Sequence, residues 1–440
     1  MKQRPPDDEL ALVEQIVRNA PGATRIPTRP ANAWGTDTGH RAGRRMRVTR
    51  TPNRHEIPAS ARPRVTSSAN KATPMCMGCS PVPRVVALIP AHNEQELLPQ
   101  ATRSIETQTI PVAQIYVVSD NSTDRTQEIA RTWGGKVGLF ETVGNRDKKS
   151  GALNQAFDAL LEAEGRDTWV LVVDADSRIV PQFIERALQA IAMDQDIGAV
   201  GGVFLTEDDA SLLMRLQANE YTRYAREIAR DHARARVLTG TATIARIGIL
   251  REVRVQRAGG FLPGRGVYNQ SALTEDFDLT LAFRRLGYKT TSPQGCIVYT
   301  EAMPTLSRLW QQRTRWQRGA LECLRNYGLN RVTLPYVIKQ GQMGFGILAL
   351  ALLVTVTAWS WHAGTLEFQP LWFGVGVVFF LERMVSVWRA GRRSIRLAAL
   401  VVPEMAYDVL IAAVYVWVIL LMLFRIRAAW GIATIDQQAK

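Results

Sequence analysis

From Arg84 onward, short unbroken apolar runs alternate with stretches of helical period. Val85-Val86-Ala87-Leu88-Ile89 closes on Pro90, Ile115-Tyr116-Val117-Val118 on Ser119-Asp120, and Trp169-Val170-Leu171-Val172-Val173 on Asp174. Runs of this length without polar alternation predict strands buried on both faces, as in a parallel sheet. Residues 136–142 predict a further strand. Helices are expected after the loop at 91–94, after 119–124, and over 148–163. This alternation predicts an α/β domain with a mainly parallel sheet, whose ligands bind at the strand C-termini. Beyond it, 197–205 reads as one strand carrying Gly201-Gly202, 211–230 as an Arg-rich helix, and 237–247 as a β-rich stretch. Residues 276–286 read as a helix and 297–299 as a last strand.

The rhythm then changes. Over 305–327, Leu306, Leu309, Trp310, Trp316, Leu321 and Leu324 recur at helical spacing with arginines between them. That profile fits a helix lying on a membrane surface or on a soluble domain. Residues 343–361 hold no charge and end in Trp359 and Trp361, a length and composition that can cross a bilayer. Residues 371–387, interrupted by Glu382 and Arg383, and 407–424 are further candidate crossings. Residues 397–405, with Pro403, are too short to cross and read as interfacial or re-entrant. The basic loop 389–396 should face the cytoplasm. We expect a tail over 1–80, a catalytic unit over 81–302, interfacial helices over 303–340 and a transmembrane region of two to three helices over 341–440.

Charge adds to this. The chain of 440 residues carries a formal +14, and residues 1–80 supply +8 of it, with 14 Lys/Arg against 6 Asp/Glu. After a short amphipathic segment at 9–17, the stretch 21–81 lacks apolar periodicity and is expected to be disordered. No apolar h-region follows the first charges, so the catalytic unit is expected in the cytoplasm. Four cysteines fit a reducing compartment, and Cys76-Met-Gly-Cys79 has no partner motif to complete a zinc site.

The chemistry lies in spaced acidic clusters. Asp174 and Asp176, just past a buried strand, can hold a divalent cation that neutralises a leaving diphosphate, or can form a solvated turn. Asp120 can accept hydrogen bonds from a base or ribose, or shape an Asx turn. Lys148 and Lys149 at a helix start can face phosphate. Thr274-Glu275-Asp276 opens a helix. It is either a cap with acidic residues suited to the dipole or a site where Asp276 acts as general base. One base with no nucleophilic carboxylate implies inversion. Gln312, Arg315 and Trp316 share about one helical turn, where Arg can pair with a diphosphate and Trp can carry a sugar face.

Together these segments resemble the processive membrane-bound family-2 glycosyltransferases, a group including chitin-oligosaccharide, hyaluronan, cellulose and poly-N-acetylglucosamine synthases. The resemblance rests on the segments 89–94, 118–124, 149–154, Asp174-Ala175-Asp176, Thr239-Gly240-Thr241, 274–279 and 312–316. It implies a GT-A fold, a UDP-sugar donor and Mg²⁺ or Mn²⁺. It places Pro90, His92, Glu94, Asp120, Lys149 and Asp174 on the donor, and Asp176 with Asp174 on the metal. Thr274, Glu275 and Asp276 become the catalytic segment, with Gln312, Arg315 and Trp316 at the diphosphate and acceptor. The expected product is a growing polysaccharide built from a hexose or N-acetylhexosamine. Synthases of this group usually carry helices before the catalytic unit too, and residues 1–80 offer none. The alternatives are therefore a homo-oligomer, a short product, or a single transfer to a polyprenyl phosphate or glycolipid. The bilayer is a partner in each, and no nucleic acid is expected. A reading of another class is a membrane-anchored polyanion-binding scaffold built on the basic tail.

Overall fold

The computed structural model describes residues 83–208 and 210–426. The segment 9–17, the stretch 21–81 and the Cys76/Cys79 pair lie outside them.

A seven-stranded sheet has the order β3-β2-β1-β4-β8-β6-β9. Its centre is β1 (Val85–Ala91), flanked by β2 (Gln114–Ser119) and β4 (Trp169–Val173), with β3 (Val137–Glu141) at the edge. These four run parallel, with Ala91 beside Ser119 and Leu88 beside Val172. On the other side β8 (Ala242–Arg246) runs antiparallel to both β4 and β6 (Ile197–Gly201), and β9 (Lys289–Thr291) closes the sheet parallel to β6. A small second sheet joins β5 (Arg178–Ile179), β10 (Ile297–Tyr299) and β7 (Val203–Leu205).

The apolar runs are unbroken because both faces are covered. On one face Val85, Ala87, Ile89, Ile115, Val117, Leu171 and Val173 pack against α1 (Leu98–Glu106) and α4 (Phe183–Met193). Their alternates Val86, Leu88, Val118, Val170 and Val172 meet Leu153 and Phe157 of α3 (Lys148–Ala163) and Val253 of α6 (Ile247–Ala258). Between lie α2 (Thr126–Trp133) and α5 (Leu212–Arg230). Period-two geometry assigns neighbours to opposite cores, and each large buried side chain contributes roughly 1.5–3 kcal/mol.

Two elements differ from the sequence expectation. The stretch 197–205 is two strands in two sheets. The break is at Gly202, where a Cβ would stand 2.6 Å from Val298 Cγ1, so only glycine lets β10 approach. The stretch 397–405 is not one element: Val401 to Met405 are the first turn of α12 (Val401–Leu423). Pro403 is tolerated there because first-turn N–H groups have no intrahelical acceptor.

After the sheets come α7 (Glu275–Arg285), α8 (Leu306–Tyr327), α9 (Leu334–His362), α10 (Pro370–Ser386) and α11 (Arg392–Ala399). Among the described residues, α9 and α12 are the two helices long and apolar enough to cross a membrane. The candidate at 371–387 becomes the 17-residue α10. Phe345, Leu348, Trp359 and Trp361 on α9, and Trp372, Phe373 and Phe379 on α10, stand exposed. Apolar surface of this extent marks an interaction with lipid or protein.

Candidate active site

The loops after β1 and β2 are laced together. Asn93 sits at φ 58°, a left-handed conformation Asn tolerates, and its Oδ1 accepts from Thr123 N (2.7 Å). Asp124 accepts from Gln95 N (3.1 Å), and Thr126 Oγ1 accepts from Glu94 N (2.9 Å). His92 Nδ1 donates to the Asp120 carbonyl at 2.6 Å. The Asp120 carboxylate is buried, and its Oδ1 gathers Asn121 Nδ2 (3.0 Å), Thr142 Oγ1 (2.8 Å) and Asn145 Nδ2 (2.8 Å). Pro90 ends the strand beneath, opposite Val118.

Beside these loops a second group converges on one ammonium. Lys149 Nζ stands 2.5 Å from Asp174 Oδ1 and 3.3 Å from Glu275 Oε1, and donates to Gly240 O (3.3 Å). Gly240 N in turn donates to Asp276 Oδ2 (3.1 Å), while Asp276 Oδ1 accepts from Phe277 N (2.7 Å). Residues from β4, α3, the segment before β8 and the start of α7, spread over more than a hundred positions, thus line one pocket. Tyr268 completes it. Its loop is clamped by Asn154, whose Oδ1 accepts from Val267 N and Tyr268 N (both 2.9 Å). The loop's far side rests on a fully buried pair, with Arg257 Nη2 2.5 Å from Asp278 Oδ1.

Charge is unevenly shared here. Burial, with Glu275 alongside, raises the Asp276 carboxyl above its usual range against the pull of Lys149 and Arg315. Burial pushes Asp174 up to about 7; Lys149 opposes this, while Asp176 and Glu275 add to it. Burial also acts on Glu275, but Lys149 and Arg315 hold it below the ordinary range. Glu94 is pushed up to about 7 by burial and by Asp176, Glu301, Asp174 and Asp124.

Asp176 faces a neighbouring cavity of about 180 Å³ with Glu301, Glu207, Asp208 and Arg178, rather than the pocket of Asp276. Its Oδ1 accepts from Ser177 Oγ (2.8 Å). Among the described residues no three metal-type ligands are preassembled. The donor set nonetheless suits a hard divalent cation, since oxygen ligands crowd there and Asp176 raises the carboxyls of both Glu94 and Glu301.

The helix α8 crosses the start of α7 closely. A Cβ at Gly319 would lie 2.6 Å from Thr274 Cγ2 and Oγ1, and Thr274 Oγ1 is 3.8 Å from Cys323 Sγ. Thr274 occupies the N-cap position of α7 but makes no side-chain cap bond; its hydroxyl faces α8. Arg315 is near enough to act on Lys148, Glu275 and Asp276. Gln312 Oε1 is buried with no hydrogen-bond partner among the described residues. Trp316 lies under the Arg313 guanidinium, 4.4 Å from ring centroid to Cζ.

Sequence reading missed Asn145 and Tyr268, and gave Asn154, Gly240 and Arg313 no role although all three lie in quoted motifs.

Residues 86–254 match the sequence model of Glycosyl transferase family 2. The chain carries a family-2 glycosyltransferase domain. The fold around it is GT-A-like, with a mostly parallel sheet and helices following. The chain is similar to the probable glycosyltransferase YdaM of Bacillus subtilis, 29% identical over 245 residues, 54% of this chain and 55% of that protein. It is similar to the β-monoglucosyldiacylglycerol synthase of Synechocystis sp., 26% identical over 309 residues, 66% of this chain and 60% of the relative. Among solved structures it is similar to the mannosyltransferase PcManGT of Pyrobaculum calidifontis in complex with GDP-Man and Mn²⁺. That likeness has a TM-score of 0.49 at 20% identity, covering 72% of this chain and 86% of the other. The chain thus spans little more than half the length of the curated relatives named.

Proposed function

We propose that this family-2 glycosyltransferase is an inverting, metal-dependent enzyme that moves a hexose or N-acetylhexosamine from a UDP-sugar to a growing polysaccharide at a bilayer face. One observation carries the reading: Lys149, Gly240, Glu275 and Asp276 line a single pocket, and Asp174 is paired with the same ammonium. Asp276 takes the proton from the acceptor hydroxyl as that oxygen attacks the anomeric carbon. Its raised pKa makes it a stronger base than an ordinary carboxylate. With no second carboxylate as nucleophile, the anomeric bond to the diphosphate breaks as the new one forms, and configuration inverts. Lys149 and Arg315 supply positive charge where the diphosphate departs. Asp176 with Asp174 would hold Mg²⁺ or Mn²⁺, which supplies further neutralisation of the leaving group. Asp120, with the His92 and Glu94 loop above Pro90, holds the nucleoside end, and Gln312 and Trp316 receive the acceptor sugar. The helices α9 and α12, with the exposed apolar residues of α10, anchor the protein in the membrane, with the catalytic domain in the cytoplasm.

A second reading is a single transfer to a glycolipid or polyprenyl phosphate. It is favoured by the two helices long and apolar enough to cross a membrane among the described residues, and by the long alignment with a glycolipid synthase.

The test is a screen of UDP-sugars for UDP release by full-length protein in detergent, with and without Mn²⁺ or Mg²⁺. Release from one donor, dependent on the metal and lost in Asp276→Asn with UDP binding kept, is expected. Full activity in Asp276→Asn would sink the assignment of the base. Product length on a gel separates polymer from single addition.

A further inference from the structure

The helix α8 that carries Gln312, Arg315 and Trp316 also carries an arginine that faces inward. Arg313 is 6% exposed. Its Nη2 lies 2.6 Å from Glu220 Oε2 on α5 and 3.4 Å from Tyr407 Oη on α12. Tyr407 donates to the same Glu220 oxygen at 2.5 Å. Arg313 Nε and Nη1 find no hydrogen-bond acceptor among the described residues. The guanidinium is therefore gripped along one edge, while its faces lie over rings: Trp316 at 4.4 Å and Tyr221 at 5.8 Å. Burying a cation this way is costly unless it is paired and stacked, and a planar guanidinium does both at once. Positions three apart share one face of a helix, so Arg313 and Trp316 move together.

The far end of the network is unusual too. The helix α12 shows the protein one face, with Glu404, Tyr407, Val414 and Val418 buried, and leaves Val402, Val409, Trp417 and Leu420 exposed. Glu404 fixes its start, bonded to Asn219 Nδ2 (2.9 Å), Arg223 (2.8 Å) and Arg383 (2.8 Å). A helix with an apolar outer surface thus reaches Trp316 through Tyr407, Glu220 and Arg313.

We propose that Arg313 is a positioning residue that holds Trp316 against the transfer pocket by tying it to Glu220 and Tyr407, so that transfer responds to how α12 is seated. The proposal rests on the reading that Trp316 meets the acceptor.

The test uses the full chain in detergent, labelled with 5-fluorotryptophan, and the variants Tyr407→Phe, Glu220→Gln and Arg313→Lys. The Trp316 ¹⁹F resonance is identified by its loss in Trp316→Phe. Each variant should move or broaden that resonance and leave the Trp169 signal in place. If the Trp316 resonance stays put in all three, the tie does not exist. With UDP-N-acetylglucosamine or whichever UDP-sugar the screen finds active, Tyr407→Phe should lower kcat by about tenfold or more, since small misplacements cost that much. The Kd for UDP should stay within about twofold, because the donor loops are untouched. Arg313→Lys should not rescue, lacking the planar fork. A uniform fall in kcat, UDP affinity and Tm would mean the cluster only supports the fold, and an unchanged kcat would overturn the coupling to transfer. If the wild type releases UDP from no donor, the proposed function fails, while the ¹⁹F spectra still decide the tie.

Discussion

Charge is buried in two regions of this molecule, and the two are balanced differently. In the pocket at the strand ends, three carboxylates (Asp174, Glu275 and Asp276) share Lys149. Beneath the last helix, Glu404 is matched by Arg223 and Arg383, and Glu220 by Arg313. The first region keeps carboxylates against their preference, with Asp276 raised and Asp174 near 7. The second pairs each acid with at least one guanidinium. Matched pairs anchor elements; a surplus of one sign costs stability and is kept where chemistry needs it. On this contrast we propose that the first region is the reaction site and the second a docking joint.

Four substitutions can break or sharpen that contrast. The largest effect is expected from Asp276→Asn, which should cut kcat by about 10²–10⁴-fold. It should leave Tm unchanged or higher. A carboxylate whose pKa is raised in the folded protein weakens the fold as pH rises through that value, so a neutral amide relieves it. A marked loss of Tm would place Asp276 among the structural acids instead. Next, Gly319→Ala should press α8 away from Thr274 and lower transfer by about 10²-fold with UDP affinity kept, measured as kcat against UDP Kd. Glu404→Ala, by contrast, should act on stability first. It removes the buried carboxylate that Arg223, Arg383 and Asn219 all bond, leaving Arg383 with Asp408 alone, at a cost of up to about 3 kcal/mol read from denaturant unfolding in detergent. If this variant unfolds like wild type, the joint is not one. The smallest effect is a shift in the pH profile. Asp276 must be ionised to act, so activity falls as pH drops through its pKa. Removing the neighbouring charge in Glu275→Gln should move that acid limb to lower pH.

Part of this was legible in the chain. The apolar runs at 85–89 and 169–173 are strands because nothing polar interrupts them, and α3 spans Lys148–Ala163 as its pattern predicts. Two helices escaped. Ile247–Ala258, which starts at the end of the 237–247 β-rich stretch, goes unassigned in sequence because Gly248 and its β-branched residues blur the helical period, and Phe183–Met193 follows too closely on the 174–176 turn. Tertiary contact decided both. In the site, the lysine and carboxylates could be picked out by type and placement after strands. Tyr268 could not, because it sits in a glycine-rich loop with no period. Arg313 looked like one more charge on an arginine-rich face, and only the fold reveals that it points inward.

The peptide units around Gly240 are the narrowest point of the pocket's electrostatics. Its amide hydrogen aims at the Asp276 carboxylate and its carbonyl at the Lys149 ammonium, so one residue is wired to both polarities. Any rotation there would withdraw a donor from one partner and an acceptor from the other in a single motion. The backbone at this position therefore ties, by its orientation, the carboxylate of Asp276 to the ammonium of Lys149.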